Sequence, residues 1–214
     1  MIMRQMLSLY RIILILPWLI YLCAACCLSE LPKPEEKIGH SEKDIMYRAM
    51  ALLAVGARGY GLDNVQLYDF IKQYSLEQYF TEDEHLFIFD KPYNHKHPVA
   101  PLFYEYKWRT ESACTLLWAI GYFDELKLDN PAVPCEILSA LNILENSDEF
   151  IENINMRSLS EILDMTNLYK GYELPTRSVR ITGDEDCADS SLVHPAIVFW
   201  RYTALKWLLG MDDW

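Results

Sequence analysis

The sequence predicts an all-α protein, a single multi-helix bundle with irregular, orthogonal packing that follows an N-terminal signal and a tether. Two observations favour this class. Apolar residues recur at helical spacing in successive segments of residues 41–214, and capping residues or proline precede several of these segments. Strand signals are few, because the alternation of polar and apolar residues at 177–182 is short.

Length and composition restrict the class of protein further. The chain has 214 residues, enough for one domain with a substantial core, and a formal net charge of -12. Aromatic residues make up 13% of it, which is more apolar surface than a disordered chain keeps in water. Phosphate contacts depend on clustered Lys and Arg, so an acidic protein is not expected to bind nucleic acid. We expect a folded domain and no nucleic-acid partner.

The N-terminal segment has the pattern of an export signal. Residues 12–28 form an uncharged apolar run, preceded by Arg4 and Arg11 and by no acidic residue. As a helix this run would be about 25 Å long, shorter than the ~30 Å hydrocarbon core of a bilayer, and Pro17 would interrupt it. A cleaved signal is therefore favoured, and an uncleaved membrane anchor is the alternative.

The end of this run resembles the lipobox of bacterial lipoproteins. It reads Leu-Cys-Ala-Ala-Cys at 22–26, with Cys23 where leucine is usual. The resemblance implies lipidation of Cys26, with Cys27 as a second frame, and acyl chains hold a protein durably to a membrane. We expect a signal peptide at 1–25, a tether rich in proline and charge at 26–40, and a folded domain at 41–214. We expect the protein to be exported to the cell envelope and anchored there to a membrane as a lipoprotein.

The first two helices of the domain are predicted from their ends. Ser41 and Asp44 have the spacing of a capping box, and apolar residues follow at helical spacing until Gly59 and Gly61. Asn64 can cap a second helix, in which apolar residues continue to position 74.

Later helices have equally clear signals. Thr81 and Glu84 form another capping box, and three prolines between 90 and 101 then indicate a loop. The strongest pattern covers 108–122, where two adjacent apolar stripes predict a helix buried on more than half of its surface. Pro134 suits the first position of a helix. Two further helices are predicted over 158–168 and 196–209.

Four segments of the domain also carry motifs in a fixed order. They are 48–52, 108–121 beginning Trp-Arg-Thr-Glu, 156–164 with Glu-Ile-Leu-Asp, and 201–208 reading Arg-Tyr-Thr-Ala-Leu-Lys-Trp-Leu. In these segments the chain resembles the DUF4272 domain, a bacterial family of unknown function. The resemblance covers roughly 41–214 and implies no activity, since the family has none established. The chain departs from the family at 169–173, where a Tyr-Arg pair and a Trp are usual, and at 211–214, where the family continues into an acidic tail.

The charged and aromatic residues on these segments are the candidate functional residues. The favoured interpretation is structural, with ion pairs that fix the register of the helices and an acidic residue placed favourably near a helix N-terminus. The second interpretation is a polar pocket for a ligand or for catalysis. The residues concerned are Arg109, Glu111, Trp118, Glu161, Asp164, Arg201 and Trp207.

Metal and cofactor chemistry receive little support from the sequence. The acidic segment 183–186, with Asp189 and His194, could offer oxygen ligands to calcium or magnesium but lacks the spacing of a calcium loop. His95 and His97 do not form a helical metal-binding pair. We therefore expect no metal site and no cofactor.

Covalent catalysis is no better indicated. No glycine-rich phosphate loop and no Gly-x-Ser-x-Gly elbow occurs in the sequence. The domain cysteines, Cys114, Cys135 and Cys187, lack Cys-x-x-Cys spacing. One disulfide among them is possible, and the sequence does not decide which two would form it. Cys114 lies in an apolar helical stretch typical of a core residue.

Two functions follow as hypotheses, and the sequence leaves open whether the protein is an enzyme. The first is a membrane-tethered domain that has a structural role in the envelope or binds a protein partner, without catalysis. The alternative is a metal-assisted hydrolase, or a domain that binds a small ligand through the motif charges.

Overall fold

The computed structural model describes residues 38–62, 64–89, 104–127, 131–140, 152, 154–182 and 194–211, with side chains at 64, 140 and 174–182 excepted. All of them lie in one compact unit, Glu35–Trp214. The predicted signal, Cys26 and the tether up to residue 37 lie outside the described residues. So do His95, His97, the acidic segment 183–186, Asp189 and Cys187.

The described residues form seven α-helices and one 3-10 helix, and none of them lies in a strand. The all-α prediction is therefore confirmed. The elements are α1 (Glu42–Gly59), α2 (Asn64–Gln73), a 3-10 helix (Leu76–Tyr79), α3 (Glu82–Phe89), α4 (Arg109–Ala119), α5 (Pro134–Ala140), α6 (Leu159–Thr182) and α7 (Pro195–Leu208).

The predicted caps begin two of these helices. Ser41 Oγ accepts a hydrogen bond from the Asp44 amide at 3.1 Å and donates one to the Asp44 carboxylate at 2.6 Å. At α3 the box is reciprocal, because Thr81 Oγ1 accepts from the Glu84 amide and Glu84 Oε2 accepts from the Thr81 amide. Each cap satisfies amide groups that the first helical turn leaves without partners.

The core is built around α1. This helix is buried almost all round from Ile45 to Arg58, and it packs against α4, which in turn packs against α7. The remaining face of α7 is covered by α6. A helix that is apolar on every side belongs in the interior, so the sequence of α1 determines which element the others surround.

Glycines allow α1 and α4 to approach closely. A Cβ atom on Gly59 would lie 2.8 Å from Lys107 Cα and 2.9 Å from the carbonyl carbon of Tyr106. A Cβ on Gly56 would lie 3.1 Å from the Thr110 amide nitrogen. The backbone of α1 therefore passes directly against the chain that enters α4.

Two predicted boundaries differ from the structure. The helix predicted over 158–168 continues to Thr182, so the alternation at 177–182 lies within a helix. The helix predicted to reach Tyr122 ends at Ala119, because Gly121 turns the chain with φ 88° and the Asn155 amide then donates to the Ile120 carbonyl. The Ile120 carbonyl therefore accepts from a distant segment of the chain and not from a further helical turn.

The first described residues are packed against the domain. The Gly39 amide donates to the Leu208 carbonyl at 2.9 Å, and the ring of His40 stacks on Trp207 with 3.7 Å between the ring centres. Packing therefore includes at least residues 38–40, ahead of Ser41. In the described part of the chain, no helix has both the length and the apolar character that crossing a membrane requires.

Replacement of Gly59 by alanine tests the close approach of α1 and α4. Alanine has the higher helix propensity, yet its Cβ would meet backbone atoms that cannot rotate away. We expect Gly59→Ala to lower the free energy of unfolding by about 1–3 kcal/mol, measured by urea denaturation of the full chain in mild detergent. The matched control is Gly171→Ala in α6, where nothing lies within 4 Å of the added Cβ. That variant should gain about 0.5–1 kcal/mol, and equal effects at both positions would contradict the close contact.

Candidate functional site

A buried ion pair joins α4 to α7. Arg201 Nε donates to Glu111 Oε2 at 2.9 Å, and Arg201 Nη2 lies 2.8 Å from the same oxygen. The third guanidinium nitrogen, Nη1, donates to the Tyr169 hydroxyl of α6 at 2.9 Å. The other carboxylate oxygen of Glu111 accepts from the Ala132 amide at 2.6 Å. Glu111 and Arg201 are each 1% exposed, so protein groups replace water for both charges.

The electrostatics of this cluster follow from burial and pairing. Burial lowers the pKa of Arg201, but the charge of Glu111 and the contact with Tyr169 outweigh it and raise the pKa above its usual value. Burial raises the pKa of Cys114, which lies on the same helix as Glu111, to about 12. A thiol of such pKa stays protonated at neutral pH, and the half-buried Cys114 packs against the hydrophobic core.

A second buried cluster surrounds Glu84. Arg48 of α1 binds it with both terminal nitrogens, Nη1 to Oε2 at 2.6 Å and Nη2 to Oε1 at 3.0 Å. Arg48 Nη1 also donates to the Tyr79 carbonyl at 2.6 Å. Arg109, at the start of α4, brings its Nε to 3.4 Å from Glu84 Oε1. The cluster therefore places two guanidinium groups around one carboxylate.

The carboxylate of this cluster stays charged. Burial raises the pKa of Glu84, but the charge and hydrogen bonds of Arg48, together with Arg109 and the Thr81 amide, hold it below its usual value. Glu84 is fully buried, and it is also the third residue of its helix. One side chain thus caps α3 and binds α3 to α1.

A third group of contacts lies at the start of α6. Arg157 Nε donates to the Trp118 carbonyl at 3.0 Å, and its Nη2 donates to the Phe123 carbonyl at 2.7 Å. Its guanidinium lies 4.8 Å from the centre of the Trp118 ring. Glu161 accepts from Arg157 and from Ser158, and these hydrogen bonds, chiefly those from Ser158, lower its pKa. This arrangement secures the turn after α4 to the cap of α6.

The candidate residues therefore fall in different places. Glu111 and Arg201 meet, and Arg109 belongs to the Glu84 cluster. Trp118 and Glu161 contact Arg157, Asp164 is exposed on α6, and Trp207 stacks on His40. Whether any of the seven residues acts on a ligand stays a prediction.

Sequence reasoning missed three members of these clusters: Arg48, Glu84 and Tyr169. A signal existed for Arg48, because it stands within the otherwise apolar run from Ile45 to Ala57. A charge in such a run must be paired, which predicts a buried acid elsewhere. No sequence feature identifies Glu84 as that acid, since its capping role already accounted for it.

Metal ligands are not assembled in the part of the chain that the structure describes. No group of three or more His, Cys, Asp or Glu side chains is close enough there to hold an ion. His194, the one described member of the proposed segment, caps α7 by accepting from the Ala196 amide at 3.2 Å. Cys114 and Cys135 are both free thiols.

These features define an all-α domain in which buried ion pairs, Glu111 with Arg201 and Glu84 with Arg48, link the helices. The chain belongs to the DUF4272 family, a domain of unknown function, whose model matches residues 25–214. The match also includes the segment predicted as a tether. No curated protein and no solved structure matches the chain.

The Glu111–Arg201 pair predicts that removal of one charge destabilises the domain more than removal of both. Arg201→Met should lower the free energy of unfolding by about 3–5 kcal/mol, because it leaves the Glu111 carboxylate buried without its cation. The double variant Glu111→Gln with Arg201→Met should lose less than Arg201→Met alone, since Gln can still accept from the Ala132 amide. Urea denaturation followed by tryptophan fluorescence measures both. A double variant that loses as much stability as Arg201→Met, or more, would contradict the coupling of the two residues.

The two free thiols should differ in reactivity. At about pH 8 iodoacetamide should modify exposed Cys135 and leave Cys114 unmodified, because the pKa of Cys114 is about 12 and only the thiolate reacts. Peptide mass mapping of the full chain distinguishes the two. In urea both should react at similar rates, which serves as the control. Rapid modification of Cys114 in the folded protein would contradict its raised pKa.

Proposed function

We propose that this chain is a membrane-tethered helical domain of the cell envelope that has a structural or protein-binding role and carries out no catalysis. One observation carries the non-catalytic part. Both carboxylate oxygens of Glu111 and all three guanidinium nitrogens of Arg201 are engaged by protein groups.

A catalytic or substrate-binding group needs a free donor, acceptor or lone pair that faces the substrate. Glu111 and Arg201, at 1% exposure, offer none without loss of a buried ion pair. Glu111 and Arg201, both on motif segments of the sequence, therefore support packing. A domain stabilised in this way can serve as a rigid support for a partner.

The tethered part of the proposal rests on the sequence. A basic start, an uncharged run at 12–28 and a cysteine after small residues at Cys26 are the features that support it. The net charge of -12 suits a domain kept apart from anionic lipid surfaces except through its anchor.

The alternative functions differ in support. The metal-assisted hydrolase depends on residues 184–194, which are outside the described part of the chain except for His194. Metal analysis of the purified full chain tests it, and stoichiometric zinc, magnesium or calcium would favour it over the non-catalytic role. The ligand-binding alternative is supported by Arg109. Its buried Nε has no hydrogen-bond acceptor, whereas the guanidinium of Arg201 donates to Glu111 and Tyr169.

Lipidation predicts a defined response to Cys26→Ser. In a bacterial host the wild-type chain should incorporate labelled fatty acid and fractionate with membranes, and globomycin should cause the unprocessed precursor to accumulate. Cys26→Ser should abolish the labelling, whereas the control Cys27→Ser should retain it. Labelling of the Cys26→Ser variant, or a soluble wild-type product of full length, would exclude this anchor.

The structural or binding role needs its own test. Cross-linking in intact cells, followed by detergent extraction and affinity purification, should give a discrete complex with the wild-type chain. The same complex should form with Asp164→Asn, a surface change on α6 that leaves the buried pairs intact. An exclusively uncross-linked monomer would count against a protein partner.

A further inference from the structure

We propose that Arg109 binds an oxyanion, the carboxylate or phosphate group of a small ligand, at the place where α3, α4 and α7 meet. The inference goes beyond the proposed function and does not depend on membrane attachment.

The Glu84 cluster contains two guanidinium groups and one carboxylate. Oε2 of Glu84 accepts from Arg48 at 2.6 Å and from the Thr81 amide at 3.0 Å, while Oε1 accepts from Arg48 at 3.0 Å. Arg48 therefore uses both oxygens of the carboxylate. Arg109 reaches Oε1 only at 3.4 Å, and its Nε is buried without a hydrogen-bond acceptor. Arg109 is the surplus cation of the cluster.

Arg109 differs from Arg201 and Arg157 in its hydrogen bonds. In Arg201 every guanidinium nitrogen contacts Glu111 or Tyr169, and Arg157 donates to three backbone carbonyls and to Glu161. Among the described contacts, the guanidinium of Arg109 makes no hydrogen bond although its side chain is only 16% exposed. A buried Nε without an acceptor is unfavourable, and an oxyanion bound to the guanidinium would supply oxygen acceptors.

The negative charge near Arg109 does not fully offset its burial. Burial is the largest influence and lowers the pKa of Arg109, Arg48 lowers it further, and Glu84, Tyr106 and Glu105 only partly compensate. Within a chain of net charge -12 such a place is an exception. An anion bound there would restore the balance.

Aromatic rings fix the orientation of the guanidinium. It lies 3.8 Å from the centre of the Trp200 ring and 5.8 Å from that of Tyr106. Tyr106 is itself held by stacking on Phe87, with 4.1 Å between ring centres, and the Trp200 carbonyl accepts from Ser112 at 2.7 Å. Stacking occupies the faces of a guanidinium and leaves the in-plane edge for hydrogen bonds, which is the geometry that carboxylates and phosphates require.

An apolar surface continues from Trp200. Trp108 packs in one small cluster with Trp200 and Ile197. A ligand with an oxyanion on a flat or apolar body would therefore bind Arg109 through its charge and this apolar cluster through its body.

Calorimetric titration and thermal unfolding of the full chain in mild detergent test the proposal. The probes are inorganic phosphate, phenyl phosphate and benzoate, at constant ionic strength. We expect at least one of them to bind and to raise the unfolding temperature. Arg109→Met should weaken the affinity by about tenfold or more, since a charged hydrogen-bonding partner is lost. The control Lys72→Met removes one exposed positive charge on α2 and should leave the affinity unchanged.

Stability without a probe separates binding from a structural role. If Arg109 is a surplus cation, Arg109→Met should unfold at the temperature of the wild-type chain or above it, whereas Arg48→Met should unfold well below it. If Arg109→Met fails to fold, Arg109→Lys keeps the charge but loses the planar fork, and it should still weaken binding.

The outcomes distinguish the sources of the oxyanion. Preference for benzoate indicates a carboxylate ligand, and preference for phenyl phosphate or inorganic phosphate indicates a phosphate. Three results would overturn the site: no binding of any probe at millimolar concentration, equal binding by Arg109→Met, or a loss of stability in Arg109→Met as large as in Arg48→Met. None of these results would affect the proposed tethered role, which the lipidation experiment tests separately.

Discussion

The buried pair of Glu111 and Arg201 is the interaction on which the packing of this domain depends. It joins two helices whose contacting residues are 90 positions apart in the chain, and through Tyr169 it includes a third. Neither charge is stable in the interior alone, because desolvation of a single ion costs more than packing recovers. α4 carries Glu111 on one side and packs against α1 on another, so the position of the pair also determines how the central helix is covered.

The two buried clusters differ in their ratio of carboxylates to guanidinium groups, and this difference distinguishes their roles. Glu111 and Arg201 balance one charge with one charge, and every hydrogen-bonding atom is used. At Glu84 one carboxylate faces two arginines and its oxygens are already taken by Arg48. A balanced buried pair is best explained by packing, whereas a surplus cation whose side chain is partly exposed can bind an external anion.

Much of the fold was predictable from the sequence, and less of the site was. The caps at Ser41 and Thr81 are local patterns, formed within four residues, and both are present. The end of α4 was predicted less well because it depends on a distant partner, the Asn155 amide that donates to the Ile120 carbonyl. The seven candidate site residues were chosen as one group, yet their partners divide them among separate clusters, since motif spacing carries no information on pairing across the fold.

The sequence by itself determined the helical class, the extensive burial of α4 and the interpretation of its charged residues as ion pairs, because periodicity and desolvation act on each segment alone. Only the tertiary structure decided that Glu111 pairs with Arg201 and that Arg109 turns to Glu84. Glu111 and Arg109 are two positions apart at the start of one helix, and positions two apart point to different sides. The physical reason is therefore geometric: the direction of each side chain around the helix, and the helix that covers that direction, select the partner.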